Sequence, residues 1–209
     1  MPNRKDIPLS HIFIPSKVPS KKLMIVLHGR GDSSTGFSFL PPYLDIEDMN
    51  YILLDAPYDY YDGFSWYDLP PNQLEGITYS RALLTETLDR LFEEEFNAHE
   101  SFLFGFSQGS LLTFEFGARY GKVLAGYIAV SGYIYDAETL LEEMNPNVKS
   151  SNWLCTHGTY DDVLPYEISK AQVETLQMGG FDIDFKSYDK THTIAEDELK
   201  MFEAWIKSR

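Results

Sequence analysis

The chain is short of cysteine, of basic residues and of long apolar runs, and each shortage removes a class of function. With one cysteine in 209 residues, no internal disulfide can form. Cys155 falls in a stretch that reads as a buried strand, so it is expected to pack as a small hydrophobe rather than to act as a nucleophile. No Cys and His cluster has metal-ligand spacing, so neither a metal nor another cofactor is expected. Lys and Arg number 17 against 32 Asp and Glu, a net charge of -15. A nucleic-acid or anionic-membrane surface needs clustered basic side chains, so both partners are excluded, and the acidity serves solubility. No segment approaches the about 20 apolar residues of a membrane span. The N-terminus MPNRKDIPLS has no apolar core of a secretion signal. The expectation is a cytoplasmic, soluble protein with no stable membrane insertion.

What is there is a hydrophobic fraction of 44% over 209 residues, enough for one sizeable core and short for two, hence one domain over residues 1–209. Leu23 to Leu27 is an apolar run without alternation, which suits a strand buried on both faces of a parallel sheet. Tyr51 to Leu54, Ser101 to Phe104, Leu124 to Val130 and Asn152 to Thr156 read the same way. His11 to Ile14 reads as an edge strand, and the alternating Asp182 to Tyr188 as an outer one. Between them lie helical patterns. Gly76 to Phe96 is amphipathic with an acidic, solvated face. Leu111 to Tyr120, Asp136 to Met144, Pro165 to Met178 and Ile194 to Lys207 follow. Ser33 to Leu44 carries a short helix, expected to break at Pro41-Pro42, and Asp59 to Gln73 reads as a long loop whose Trp66 and Tyr67 either line a pocket or anchor the loop. Strands alternating with helices predict an α/β fold, a mostly parallel central sheet with helices on both faces.

The stretch that carries chemistry is Ser101 to Leu112, SFLFGFSQGSLL. A strand, the turn Gly105-Phe106-Ser107-Gln108-Gly109 and a helix start give G-x-S-x-G, which holds a serine at the tip of a strained strand-to-helix turn. The backbone N–H of Gln108, at the helix N-terminus, faces an oxyanion growing on a substrate. A serine at neutral pH needs a base, and the base needs a partner to set its tautomer. Downstream loops supply them in the order Ser107, Asp161, His192, with Asp162 the alternative acid. The second oxyanion donor is expected from the loop after Leu23 to Leu27, at the backbone N–H of Arg30. His28 and His157, each before a glycine at a strand end, read as bracing residues.

Six stretches in order resemble the phospholipase/carboxylesterase family of small α/β-hydrolases, the group that includes acyl-protein thioesterases. They are Leu27-His28-Gly29-Arg30-Gly31-Asp32, Ser65-Trp66-Tyr67-Asp68, Glu75-Gly76-Ile77, Gly105-Phe106-Ser107-Gln108-Gly109, His157-Gly158 through Asp161 to Pro165, and Thr191-His192-Thr193. The resemblance implies an α/β-hydrolase fold, a triad of Ser107, Asp161 and His192, and Trp66 beside the substrate cleft. It implies a serine esterase acting on a small-molecule ester or acyl thioester, with thioesterase or lysophospholipase activity as the alternative. A catalytically dead binding module on the same fold is the alternative of another class. Two departures stand out. Ser110 replaces a second glycine, and Arg30 stands where thioesterase members often carry an apolar residue. No insertion is long enough for a large lid domain, and the exposed aromatics leave a homodimer open.

Overall fold

The computed structural model describes residues 6–209, and the first five, part of the N-terminal stretch without an apolar core, lie outside them. In chain order come β1 (His11–Ile14), β2 (Lys22–Leu27), α1 (Leu40–Leu44), β3 (Met49–Leu54), β4 (Tyr58–Tyr60), β5 (Gly63–Ser65), α2 (Gln73–Glu94), β6 (Phe102–Phe106) and α3 (Gln108–Gly117). They are followed by β7 (Gly126–Val130), α4 (Ala137–Glu143), β8 (Trp153–Gly158), α5 (Tyr166–Met178), β9 (Ile183–Tyr188) and α6 (Glu196–Lys207). Seven strands form one sheet in the order β1-β3-β2-β6-β7-β8-β9. Its edge strand β1 is antiparallel to β3, and every other neighbouring pair is parallel.

The unbroken apolar runs are explained by a sheet buried on both faces. Leu23, Ile25 and Leu27 of β2 join Leu84 and Leu88 of α2, Leu111 and Leu112 of α3, and Val173 of α5 in one cluster. Met24 and Val26, which point the other way, join Leu40 and Leu44 of α1 and Leu199, Phe202 and Ile206 of α6 in a second. Burial of each such side chain stabilises the fold by about 1.5–3 kcal/mol, so both faces of every central strand select for apolar residues. Edge strand β9 lacks this double cover and alternates, with Ile183 buried and Asp184 exposed.

The order of the strands also fixes where a ligand can sit. From β2 the chain steps outward to β3, then returns to place β6 on the other side of β2. The connections after β2 and β6 therefore diverge, and the carboxyl ends of these neighbours, paired at Leu27 and Gly105, border a crevice.

Three expectations change. Pro41-Pro42 does not break a helix but lies in the first turn of α1, where a missing N–H costs nothing because the first N–H groups of a helix have no intrahelical partner. Asp59 to Gln73 is not one loop. It holds most of an antiparallel ribbon, β4 with β5, paired from Tyr58–Ser65 to Tyr60–Gly63. Its turn hides in the sequence because the left-handed residue is Tyr61, at φ 52°, where glycine or asparagine would announce a hairpin. Helix α2 then starts at Gln73 rather than Gly76. Among the described residues, no helix is long and apolar enough to cross a membrane.

Candidate active site

Strand β6 ends at Phe106 and α3 starts at Gln108, so Ser107 alone makes the reversal, at φ 54° and ψ -112°. A non-glycine residue held there stores about 1–3 kcal/mol of strain. The surroundings hold it in place. Its N–H donates to Val130 O at 2.9 Å, and its carbonyl accepts from Ser110 and Leu111 N–H at 3.0 and 3.2 Å. The flanking glycines are required by close approach. A Cβ at Gly105 would lie 2.1 Å from Gly109 O, and one at Gly109 would lie 2.2 Å from Leu27 O.

His192, on the connection from β9 to α6, brings Nε2 to 2.9 Å from Ser107 Oγ and Nδ1 to 2.8 Å from Asp161 Oδ2. An ionised carboxylate only accepts, so the proton sits on Nδ1, and Nε2 is left to accept from the serine hydroxyl. Asp161 follows β8 on a short loop that turns its carboxylate inward. Its Oδ1 accepts from Val163 and Leu164 N–H at 3.0 and 2.8 Å. Burial pushes the Asp161 pKa up, but the Leu164 N–H, His192 and the Val163 N–H together outweigh it and hold the carboxyl below its usual range. Asp162 is exposed. Of the two adjacent acids, only Asp161 is in contact with His192.

The two strand-end histidines brace. His28 Nδ1–H donates to Gly29 O at 2.6 Å, and Nε2 accepts from Ala56 N–H at 3.1 Å. His157 Nε2–H donates to Leu164 O at 2.8 Å and lies 3.3 Å from Asp161 Oδ2. Burial lowers the basicity of both rings, so both are neutral at pH 7.

Gln108 does two things. Its backbone N–H opens α3, where no intrahelical partner exists. Its buried side chain holds the segment next to the cleft, accepting from Trp66 N–H at 2.9 Å and donating to Tyr67 O at 2.8 Å. Arg30 lies on the loop after β2, and this loop is pinned to the ribbon, Gly31 N–H to Phe64 O at 2.8 Å and Phe64 N–H to Asp32 O at 2.9 Å. Neither the Arg30 nor the Gln108 backbone N–H has a hydrogen-bond partner among the described residues.

Of the two readings open for Trp66, the structure favours the anchor over the place beside the cleft that the resemblance implies. Trp66 is fully buried and donates its indole N–H to His28 O at 2.9 Å, so it anchors the loop. Its neighbour Tyr67 lines the cleft instead, with Arg30, Ser107, Gln108 and Tyr133. The cleft encloses about 540 Å³, and Leu69, Pro70, Val163, Leu164, Pro165 and Ile168 form its apolar wall.

One buried cluster beside His192 has no motif in the sequence. Lys190, two residues before His192, is buried and reaches Ser131 Oγ at 3.0 Å, Thr193 O at 2.5 Å and Glu198 Oε2 at 2.7 Å. Glu198 Oε2 also accepts from Ala195 N–H at 2.7 Å. One ammonium thus ties the end of β7, the histidine loop and α6 together. Burial pulls the Lys190 pKa below its usual value against the attraction of Glu198. The signal available in the sequence was weak: a Glu in the first turn of α6 that suits a capping interaction. Among the described residues, no group of three His, Cys, Asp or Glu side chains could hold a metal ion.

The Phospholipase/Carboxylesterase family model matches residues 10–209. The chain belongs to this family. Among its curated members, a probable carboxylesterase of Oryza sativa subsp. japonica is 29% identical over 69% of this chain, the match spanning only 58% of the rice protein's length. Acyl-protein thioesterase 1 of Kluyveromyces lactis is 26% identical over 93% of this chain and 95% of its own. The crystal structure of esterase PE8 superposes with a TM-score of 0.87 at 27% identity, covering 96% of this chain and 98% of that one. The architecture is the α/β-hydrolase fold of family esterases.

Proposed function

We propose that the chain is a carboxylesterase in which Ser107 is the nucleophile, His192 the general base and acid, and Asp161 the residue that orients and charges the base. The observation that carries this reading is the line of contacts Ser107 Oγ to His192 Nε2 to Asp161 Oδ2, at 2.9 and 2.8 Å. Ser107 Oγ attacks the ester carbonyl and its proton passes to His192 Nε2, while Asp161 stabilises the imidazolium. The carbonyl oxygen becomes an oxyanion facing the N–H groups of Arg30 and Gln108, each such donor being worth on the order of 3 kcal/mol. The bond to the leaving oxygen breaks and His192 returns the proton to it. Water then gives a proton to the same nitrogen and attacks the acyl carbonyl, which releases the carboxylic acid and regenerates Ser107.

The apolar wall of Leu69, Pro70, Val163, Leu164, Pro165 and Ile168 suits an acyl chain. Each methylene it covers adds up to about 0.8 kcal/mol, roughly fourfold in kcat/KM. Thioester cleavage is the second reading, favoured by the near full-length match to an acyl-protein thioesterase. It uses the same steps with a thiolate leaving group. The test is Ser107→Ala against a short activated ester. Turnover should fall by on the order of 10⁴-fold or more with the circular dichroism spectrum unchanged. Retained turnover in clean protein would end the assignment.

A further inference from the structure

The cleft is lined by a basic residue that has no ion-pair partner among the described residues. Arg30 lines it beside Ser107. Its Nε is buried with no hydrogen-bond partner, and its guanidinium lies 4.2 Å over the Tyr60 ring. No carboxylate among the described residues forms an ion pair with it. Ten other described Lys and Arg side chains have an acidic partner, and Lys21, Arg81, Lys149 and Arg209, which have none, do not line this cleft.

The place of the arginine matters as much as its isolation. The loop that carries it is held by the β4–β5 ribbon, and Tyr60 of that ribbon supports the guanidinium from one side. The ring covers one face of the guanidinium and leaves the terminal N–H groups at its edge for a planar anion. In the proposed mechanism the same residue offers its backbone N–H to the reacting carbonyl, so its side chain starts only a few bonds from the scissile bond.

We propose that the cleft selects esters carrying an anionic group, a carboxylate or a phosphate, a few bonds from the scissile carbonyl, and that Arg30 pairs with that group. The proposal rests on the serine esterase reading for its turnover assay but not for its binding assay. Because the whole chain is strongly acidic, any preference for an anion must come from this local contact rather than from long-range attraction.

The test compares matched pairs on the full chain. The 4-nitrophenyl ester of glutaric acid is set against its neutral methyl ester, so that the charge is on the acyl side. On the alcohol side, 4-acetoxybenzoate is set against its methyl ester and 4-acetoxyphenyl phosphate against its neutral dimethyl ester, and their order separates carboxylate from phosphate. In at least one pair the anionic member should have a kcat/KM about tenfold higher at low salt, the size of one charge-assisted contact. The ratio should shrink as salt rises, fall to about one in Arg30→Gln and survive in part in Arg30→Lys. No preference in any pair, a preference that persists in Arg30→Gln, or an equal loss on both members of a pair would overturn the proposal and leave Arg30 as a brace for the ribbon. Calorimetry on Ser107→Ala protein reads the contact without turnover. Glutaric acid monoanilide should bind about tenfold tighter than its methyl ester, and Arg30→Gln should abolish the difference. Equal binding would overturn the proposal even if hydrolysis is intact. Unequal binding would sustain it even if hydrolysis fails.

Discussion

Replacing Lys190 with methionine separates the stability of the buried cluster from its role in holding the base. The substitution keeps most of the apolar stem and removes the ammonium. Glu198, fully buried, would then keep only the Ala195 N–H for its Oε2. Removing one partner of a buried ion pair costs about 3–5 kcal/mol, which for a chain of this size lowers Tm by roughly 6–20 °C. That is a large part of a typical total stability of about 5–15 kcal/mol, yet the fold should persist at 25 °C. The double variant Lys190→Met with Glu198→Leu removes the stranded charge, and most of the lost stability should return, because an apolar pair of similar volume often matches a buried ion pair. Activity should not return with it. In both variants Thr193 O and Ser131 Oγ lose the ammonium that ties them together, and His192 sits between residues 190 and 193. Displacement of a catalytic group by about 1 Å can cost on the order of 100-fold, so kcat should fall while KM changes little. The assays are thermal unfolding by circular dichroism and steady-state hydrolysis of a short 4-nitrophenyl ester. A double variant with the wild-type kcat would refute the positioning role, and a single variant that loses less than about 1 kcal/mol would refute the electrostatic one.

Two further outcomes follow from the geometry. In Gly109→Ala the new Cβ would lie 2.2 Å from Leu27 O, a backbone atom that cannot swing aside. The loss should reach or exceed the about 1–3 kcal/mol of ordinary overpacking, and because α3 carries the Gln108 N–H, kcat should drop as well; a wild-type Tm would contradict the packing account. Burial depresses the basicity of His28 and His157, so the unfolded chain takes up protons near pH 6.5 that the folded chain refuses. Stability should be full above about pH 6.5 and fall as pH drops through that value toward the folded pKa values, by up to about 1.4 kcal/mol per pH unit for each ring. His157→Gln should flatten the slope of urea midpoints between pH 7 and 5, and identical slopes would show that His157 does not titrate this way.

The parallel sheet was legible because burial on both faces leaves a plain mark, an apolar run such as Leu23 to Leu27 closed by His28-Gly29. The turn at Ser107 was legible for a steric reason, since Gly105 and Gly109 must be glycines wherever a strand and helix cross this closely. What escaped lies where the signal is geometric rather than compositional. The β4–β5 ribbon turns at Tyr61, a residue with no turn preference. Trp66 and Tyr67 are adjacent and aromatic, yet one anchors the loop and the other faces the cleft, because successive side chains leave the backbone in different directions. Lys190 and Glu198 are ordinary surface residues by type, and only the meeting of β7, the histidine loop and α6 makes them a buried pair. The choice of Asp161 over Asp162 was open for the same reason.

The central claim is that His192 and Asp161 make one hydroxyl, that of Ser107, reactive in neutral water. Labelling the chain with a fluorophosphonate and reading the intact mass, then the peptide that carries the adduct, tests it most directly. The expected result is one adduct, on Ser107, absent in Ser107→Ala and formed at least about 100-fold more slowly in His192→Ala. An adduct on another residue, or equal labelling rates with and without the imidazole, would contradict it.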